Sequence, residues 1–162
     1  SYVDQYPAAE YVPADPLEKS SALWNHWADC AFPAATENEI GQRDAYNLIN
    51  HRIKVVCEAA NMPCTAEARE VLLSRRNILY APAKAANAGG GAMAGLEMVQ
   101  NSMRLGWTFE EVDQRLKLIM KNIHRTCLDA AEQYGVPDNY VAGADIAAFV
   151  KVAEAMIDQG IV

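Results

Sequence analysis

Three short segments of this 162-residue chain combine small residues with neutral side chains that donate and accept hydrogen bonds. The first segment carries Thr36, the second Asn61 and the third Asn87. The third runs into consecutive glycines at 89–91, and glycines at a helix start leave backbone N–H groups open to an anion or an amide. These residue types suit a ligand that lies close to the backbone. The simpler alternative for each segment is a turn or a helix cap.

All three segments follow stretches whose composition predicts a strand. Short runs of apolar and β-branched residues alternate with amphipathic stretches, which is typical of strands and helices around a parallel sheet. The predicted strands are 27–32, 53–57 and 78–81, and the predicted helices between them are 41–51 and 66–76. The carboxyl ends of parallel strands share one edge, where open α/β sheets bind their ligands. We therefore expect Thr36, Asn61 and Asn87 to lie at the same edge.

The character of the sequence changes at Gly89, because no later stretch has the pattern of a strand. Apolar residues at three- and four-residue steps predict three helices instead. These helices cover about 88–105, 109–134 and 139–158. The fold class is thus α/β, followed by helices. Residues 1–25 contain three prolines and an excess of acidic residues, so we expect an irregular acidic lead-in.

Charge and composition exclude several classes of function. A total of 14 basic against 21 acidic residues gives a net charge of −7, which opposes binding to nucleic acid or anionic lipid. No apolar run approaches the roughly 20 residues that span a bilayer. The three histidines lack metal-ligand spacing, so we expect no metal site. The four cysteines form no CxxC pair, and we interpret them as free thiols in a reducing compartment.

Six motifs in the chain carry a family resemblance. They are PAATENE at 33–39, EAANMP at 58–63, APAKAANAGG at 81–90, AGLEMVQN at 94–101, LGW at 105–107 and GADIAAFVKVAEAMIDQG at 143–160. In this order and spacing they resemble the carboxyl-terminal part of the hexameric glutamate dehydrogenases, particularly the NADP-dependent type, within the superfamily of glutamate, leucine, phenylalanine and valine dehydrogenases. The resemblance covers the chain from Trp27 onward.

The resemblance implies both a fold and an activity. Residues 26–87 would be the second half of a dinucleotide-binding domain with a Rossmann-type parallel sheet, and residues 88–162 a carboxyl-terminal helical segment that returns across the cleft. The reaction would be the reversible NADP-dependent oxidative deamination of L-glutamate to 2-oxoglutarate and ammonia, with NAD as the alternative coenzyme. In the family, the glycine-rich phosphate loop and the catalytic lysine and aspartate lie upstream of the matching segment. We therefore expect the chain alone to be inactive.

The resemblance also assigns roles to individual residues, none of them catalytic. It implies cofactor binding by Ala35, Thr36, Asn61 and Asn87, and substrate binding by Asn87, Gly91 and Ala94. Two of these positions depart from the family, which has a valine at the position of Gly91 and a serine at the position of Ala94. A third departure is Glu37 in place of a glutamine. Loss of the serine hydroxyl would remove one hydrogen bond from the distal carboxylate of the substrate.

These departures leave three interpretations of the parent protein open. It is an ordinary glutamate dehydrogenase, an enzyme whose amino-acid preference has shifted, or a non-catalytic homologue that serves as a structural subunit of a larger complex. A half domain exposes a sheet edge, so we expect the chain to associate with the remainder of its polypeptide and within a homohexamer or larger assembly. The expected ligand is a small-molecule substrate. The expected compartment is the cytoplasm or the mitochondrial matrix.

Overall fold

The computed structural model describes residues 2–8, 10–13 and 22–160. Within them, three strands form one sheet and the remaining regular structure is helical. The strands are β1 Cys30–Ala31, β2 Val55–Cys57 and β3 Leu79–Ala81. The α-helices are α1 Tyr2–Gln5, α2 Gln42–Asn50, α3 Ala66–Leu73, α4 Ala83–Ala86, α5 Ala88–Met103, α6 Phe109–Gln133 and α7 Tyr140–Gln159.

The sheet is parallel, and its strands lie in the order β1-β2-β3. Helix α2 connects β1 to β2, and α3 connects β2 to β3, so both connections are the helical crossovers that parallel strands require. The α/β fold class is therefore confirmed. The strands are shorter than predicted, and β1 keeps only two residues of the range 27–32. Trp27 lies outside the ladder because its side chain is 73% exposed instead of packing against the sheet.

The core lies between one face of the sheet and the two crossover helices. Ala31, Val56 and Tyr80 are aligned across the three strands and are buried. They pack with Leu48 of α2 and Leu72 of α3 in one cluster. Burial of this face fixes the register of the strands, and the carboxyl edge of the sheet is left to the loops that follow them.

The lead-in before β1 differs from its sequence expectation. The sequence predicts an irregular segment over 1–25, whereas the structure has the one-turn helix α1 and a 3₁₀ turn at Ala22–Asn25. The turn packs against α2 because Trp24, which is 6% exposed, reaches into the core cluster. Residues 1, 9 and 14–21 of the lead-in lie outside the described residues.

The helical part begins with an element that the sequence does not predict. Helix α4 is a single turn that starts directly after Pro82, whose φ of −72° suits a helix start, and Asn87 separates α4 from α5. The three longer helices end within two residues of their predicted bounds. Helices α6 and α7 meet at Gly143, where an added Cβ would lie 2.2 Å from the Cys127 carbonyl oxygen. Among the described residues, no helix combines the length and apolar character needed to cross a membrane.

Candidate functional site

Three loops lie at the carboxyl edge of the sheet, and each contains one of the polar residues singled out above. The first loop (32–41) carries Thr36 and the second loop (58–65) carries Asn61. The third loop (82–87), which includes the single turn α4, carries Asn87. All three follow strands that run in the same direction, so they share one edge. Ala35 and Thr36 are exposed, and Ala35 N–H donates to the Glu39 carboxylate at 3.0 Å.

Backbone hydrogen bonds join the first loop to the second. Ala59 N–H donates to the Pro33 carbonyl at 2.9 Å, and Asn38 N–H donates to the Met62 carbonyl at 3.0 Å. Asn38 and Met62 both adopt left-handed backbone conformations, with φ of 54° and 46°. For a side chain such as methionine this conformation costs about 1–2 kcal/mol. Strain of this kind is concentrated at ligand sites, where the surrounding contacts enforce it.

Asn61 and Asn87 contact each other across the second and third loops. Asn87 Nδ2 donates to Asn61 Oδ1 at 3.0 Å. Asn87 stands directly before α5, yet its side chain does not cap that helix. In the part of the chain that the structure describes, Asn61 Nδ2 and Asn87 Oδ1 have no polar contact, so one amide group that donates and one amide oxygen that accepts remain. A donor beside an acceptor is complementary to a primary carboxamide.

The asparagine pair lines an open cleft of about 380 Å³, completed by Met62, Ala83, Lys84 and Ala88. This volume is within the range of small-molecule sites. Lys84 is the charged residue of this lining. Its ammonium group forms an ion pair with Asp145 of α7. The Asp145 carboxylate neutralises the charge of Lys84, and the ion pair connects the cleft to α7.

Behind the cleft lies a buried carboxylate that the sequence analysis missed. Glu58 is 5% exposed, Tyr80 O–H donates to its Oε1 at 2.7 Å, and Ala83 N–H donates to its Oε2 at 2.7 Å. Burial raises the pKa of the neighbouring Cys64 thiol to about 12. Burial and the hydrogen bond to Glu58 also raise the pKa of Tyr80, which keeps its proton. The available signal was an acidic residue placed directly after the apolar strand β2.

The remaining residues implied by the resemblance lie outside the cleft lining. Gly91 and Ala94 are exposed on α5, and their spacing of three residues puts them on one face. A Cβ added at Gly91 would meet no atom of the described residues within 4 Å. Across the same residues, no group of three or more His, Cys, Asp or Glu side chains is arranged to hold a metal ion. The amide groups and the ammonium group that line the cleft can bind and orient a ligand.

Comparison with known proteins places this arrangement in a family. The curated relatives include an NADP-specific glutamate dehydrogenase from Giardia intestinalis, 48% identical over 161 residues, which cover 99% of this chain and 35% of that protein. An NAD-specific glutamate dehydrogenase from Bacteroides fragilis is 45% identical over 165 aligned positions, with 99% of this chain and 35% of that protein covered. The chain therefore spans about a third of the length of the curated relatives that it matches.

Solved structures agree with this assignment. Glutamate dehydrogenase from Plasmodium falciparum is 41% identical and superposes with a TM-score of 0.89, covering 99% of this chain and 33% of that one. The hetero-hexameric glutamate dehydrogenase from Thermus thermophilus, in its Leu-bound form, has a TM-score of 0.80 at 24% identity, covers 99% of this chain and 37% of that one, and shows the fold alone. The sequence profile of the Glutamate/Leucine/Phenylalanine/Valine dehydrogenases matches residues 1–160, and the chain belongs to this family.

Proposed function

We propose that this chain is the carboxyl-terminal part of an NADP-dependent glutamate dehydrogenase, which deaminates L-glutamate oxidatively and reversibly to 2-oxoglutarate and ammonia. The observation that carries the proposal is the Asn61–Asn87 pair, whose remaining donor and acceptor suit the carboxamide of a nicotinamide. Its place at the carboxyl edge of a parallel sheet supports the same ligand. The relatives include both NADP-specific and NAD-specific enzymes, so NADP is the proposed coenzyme and NAD the alternative.

The residues of this chain would bind and orient the reactants. The bound coenzyme would accept the hydride that leaves the α-carbon of the amino acid. Asn61 and Asn87 would hold its carboxamide, while Ala35 and Thr36 of the first loop would lie beside it. The proposed substrate-binding residues are Asn87, Gly91 and Ala94. The acid–base groups of the reaction are not assigned to this chain.

The same proposal divides the chain and gives it partners. Residues 26–87 would complete the coenzyme domain, and residues 88–162 would return across its cleft. The partners would be the remainder of the polypeptide and further copies in a homohexamer or larger assembly, in the cytoplasm or the mitochondrial matrix. Large apolar side chains exposed on α7, such as Phe149 at 71% and Ile157 at 77%, support an extensive contact surface.

The test is an assay of the full-length polypeptide that carries this chain. We expect glutamate-dependent reduction of NADP, slower reduction of NAD and no reduction by the 162-residue chain alone. Asn87→Ala should weaken coenzyme binding about tenfold or more, because a buried amide of the ligand loses its partner. Asn122→Ala, at an exposed position of α6, is the matched control and should bind normally. A full-length polypeptide that assembles but binds no coenzyme would identify a structural homologue instead.

A shifted amino-acid preference is the second candidate function, and the open space at Gly91 favours it. In the full-length polypeptide, Gly91→Val combined with Ala94→Ser would restore the side chains found in the family. We expect kcat/KM for glutamate to rise several-fold, mainly through a lower KM, because the hydroxyl adds a contact in the ground state and the transition state alike. An unchanged ratio would leave an ordinary glutamate preference.

A further inference from the structure

Glu58 holds together the two loops that carry the asparagine pair. It stands at the start of the second loop, three residues before Asn61, and its backbone N–H donates to the Ala81 carbonyl at 3.0 Å. Its side chain then crosses to the third loop, where Oε2 accepts Ala83 N–H at 2.7 Å. The other oxygen, Oε1, accepts Tyr80 O–H at 2.7 Å. Both oxygens of this buried carboxylate are therefore engaged, which offsets the cost of its removal from water.

The contact at Ala83 reaches Asn87 through a single helical turn. Ala83 is the first residue of α4, and Asn87 N–H donates to the Ala83 carbonyl at 2.8 Å. Pro82, at the N-cap of α4, offers no side-chain hydrogen bond, so the Glu58 carboxylate supplies the acceptor that the first turn needs. The contact between Asn61 and Asn87 closes the ring.

We propose that Glu58 is a positioning residue that sets the separation and orientation of Asn61 and Asn87 through its hydrogen bond to the start of α4. The inference rests on the proposed function to the extent that this pair binds the carboxamide of the coenzyme. Glu58 itself lies behind the cleft and does not line it. Its effect on binding is therefore indirect. We expect this effect to depend on the reach of the side chain, meaning its length, and not on its charge.

Two conservative variants separate reach from charge. Glu58→Gln keeps the length of the side chain, and its amide can accept from Ala83 N–H while donating to the Tyr80 oxygen. Glu58→Asp keeps the charge but is one methylene shorter, so it cannot maintain both contacts. The matched control for the exchange measurement is Asp44→Ala, which removes another buried carboxylate, one that accepts Gly41 N–H at 2.9 Å at the end of the first loop. Asp44 belongs to α2 and not to the two loops that carry the asparagines.

The experiment measures coenzyme binding and local order in the full-length polypeptide. NADPH fluorescence titration gives the dissociation constant, and hydrogen exchange by mass spectrometry reports on the amides of 83–87. For Glu58→Asp we expect binding to weaken about tenfold, the equivalent of one well-placed hydrogen bond, and exchange over 83–87 to accelerate. Glu58→Gln should stay within about threefold of the wild type, since its hydrogen bonds are kept. Asp44→Ala should leave exchange over 83–87 unchanged.

Two results would overturn the proposal. If Glu58→Gln weakens binding as much as Glu58→Asp or more, the charge acts and not the reach. If Glu58→Asp leaves exchange over 83–87 unchanged, Glu58 does not fix α4. A wild-type polypeptide that binds neither NADPH nor NADH would defeat the proposed function, and the exchange comparison would still decide whether Glu58 positions α4.

Discussion

The α/β part of the chain, from Trp24 to Tyr80, and the helical part, from Ala88 to Gln159, bury their side chains in different ways. Twelve buried residues of the α/β part form one cluster, among them Ile53 and Leu72. Helix α5 buries none of its residues. The buried residues of α6 and α7 are all small, namely Cys127, Ala131, Gly143 and Ala144.

This difference shows that one short chain uses two kinds of packing. In the α/β part, stability depends on the volume of branched apolar side chains removed from water. In the helical part, it depends on how closely two backbones approach, while large side chains such as Phe109, 81% exposed, remain on the surface. Substitutions that change side-chain volume should therefore act on the first part, and substitutions that add a single carbon should act on the second.

The largest expected effect comes from Leu72→Ala. Leu72 is fully buried in α3, so its truncation leaves a cavity and should lower the free energy of unfolding of the α/β part by about 2–5 kcal/mol. Leu118→Ala on α6 is the matched control, and since Leu118 is 60% exposed we expect a change within about 0.5 kcal/mol. Hydrogen exchange of the α3 and α6 amides in the full-length polypeptide measures both. Equal losses would remove the contrast between the two parts.

A smaller effect, with opposite signs at two glycines, tests the packing of the helical part. Gly143→Ala places a Cβ 2.2 Å from the Cys127 carbonyl oxygen and 2.9 Å from the Ala131 Cβ, so α6 and α7 must separate. We expect the free energy of unfolding of Gly143→Ala to be lower than that of the wild type by about 1–3 kcal/mol. At Gly95 of α5, an added Cβ meets no atom of the described residues within 4 Å, and Gly95→Ala should gain up to about 1 kcal/mol from helix propensity. Thermal unfolding of both variants shows the signs, and stabilisation by Gly143→Ala would contradict the close crossing.

The smallest expected effect is a dependence of the stability of the α/β part on alkaline pH, measured at Cys64. Burial raises the pKa of Cys64 from 9.0 to about 12. Below pH 9 the folded and unfolded forms both keep the proton, so the contribution to stability is complete; above it the unfolded form ionises first and stability falls until the pH passes the folded pKa. The decrease in the free energy of unfolding should reach about 1 kcal/mol near pH 10. Exchange protection of β2 should fall over this range in the wild type and less steeply in Cys64→Ala, and equal slopes in the two proteins would contradict the prediction.

The sequence predicts the start of a helix best where a nearby side chain caps the backbone N–H groups of its first turn. Thr108 and Glu111 form the reciprocal cap that begins α6, and Thr65 caps α3, so their starts are encoded locally. The ends of the strands are not encoded locally, because they depend on which residues form backbone hydrogen bonds with the neighbouring strand. The turn at Trp24 forms through contact with α2, which no local pattern reveals.

The candidate site shows the same division. Asn61 and Asn87 could be selected from residue type and position after a strand, since amides suit a carboxamide ligand. Glu58 also stands directly after a strand, but its role could not be predicted, because that role depends on a hydrogen bond to Ala83, 25 residues away. The pairing of Lys84 with Asp145 spans 61 residues and was equally hidden. Residue types can be chosen from the chain, but partners separated by a whole structural unit require the fold.

The left-handed backbone at Met62 has a consequence for the entropy of ligand capture. Glycine in its place would adopt the same φ without strain and would also sample many other conformations before a ligand arrives. Methionine has fewer alternatives, and the hydrogen bond from Asn38 N–H to its carbonyl holds it in this one. The second loop therefore loses little conformational freedom when a ligand settles against Asn61. Part of the cost of association is met during folding, before any ligand is present.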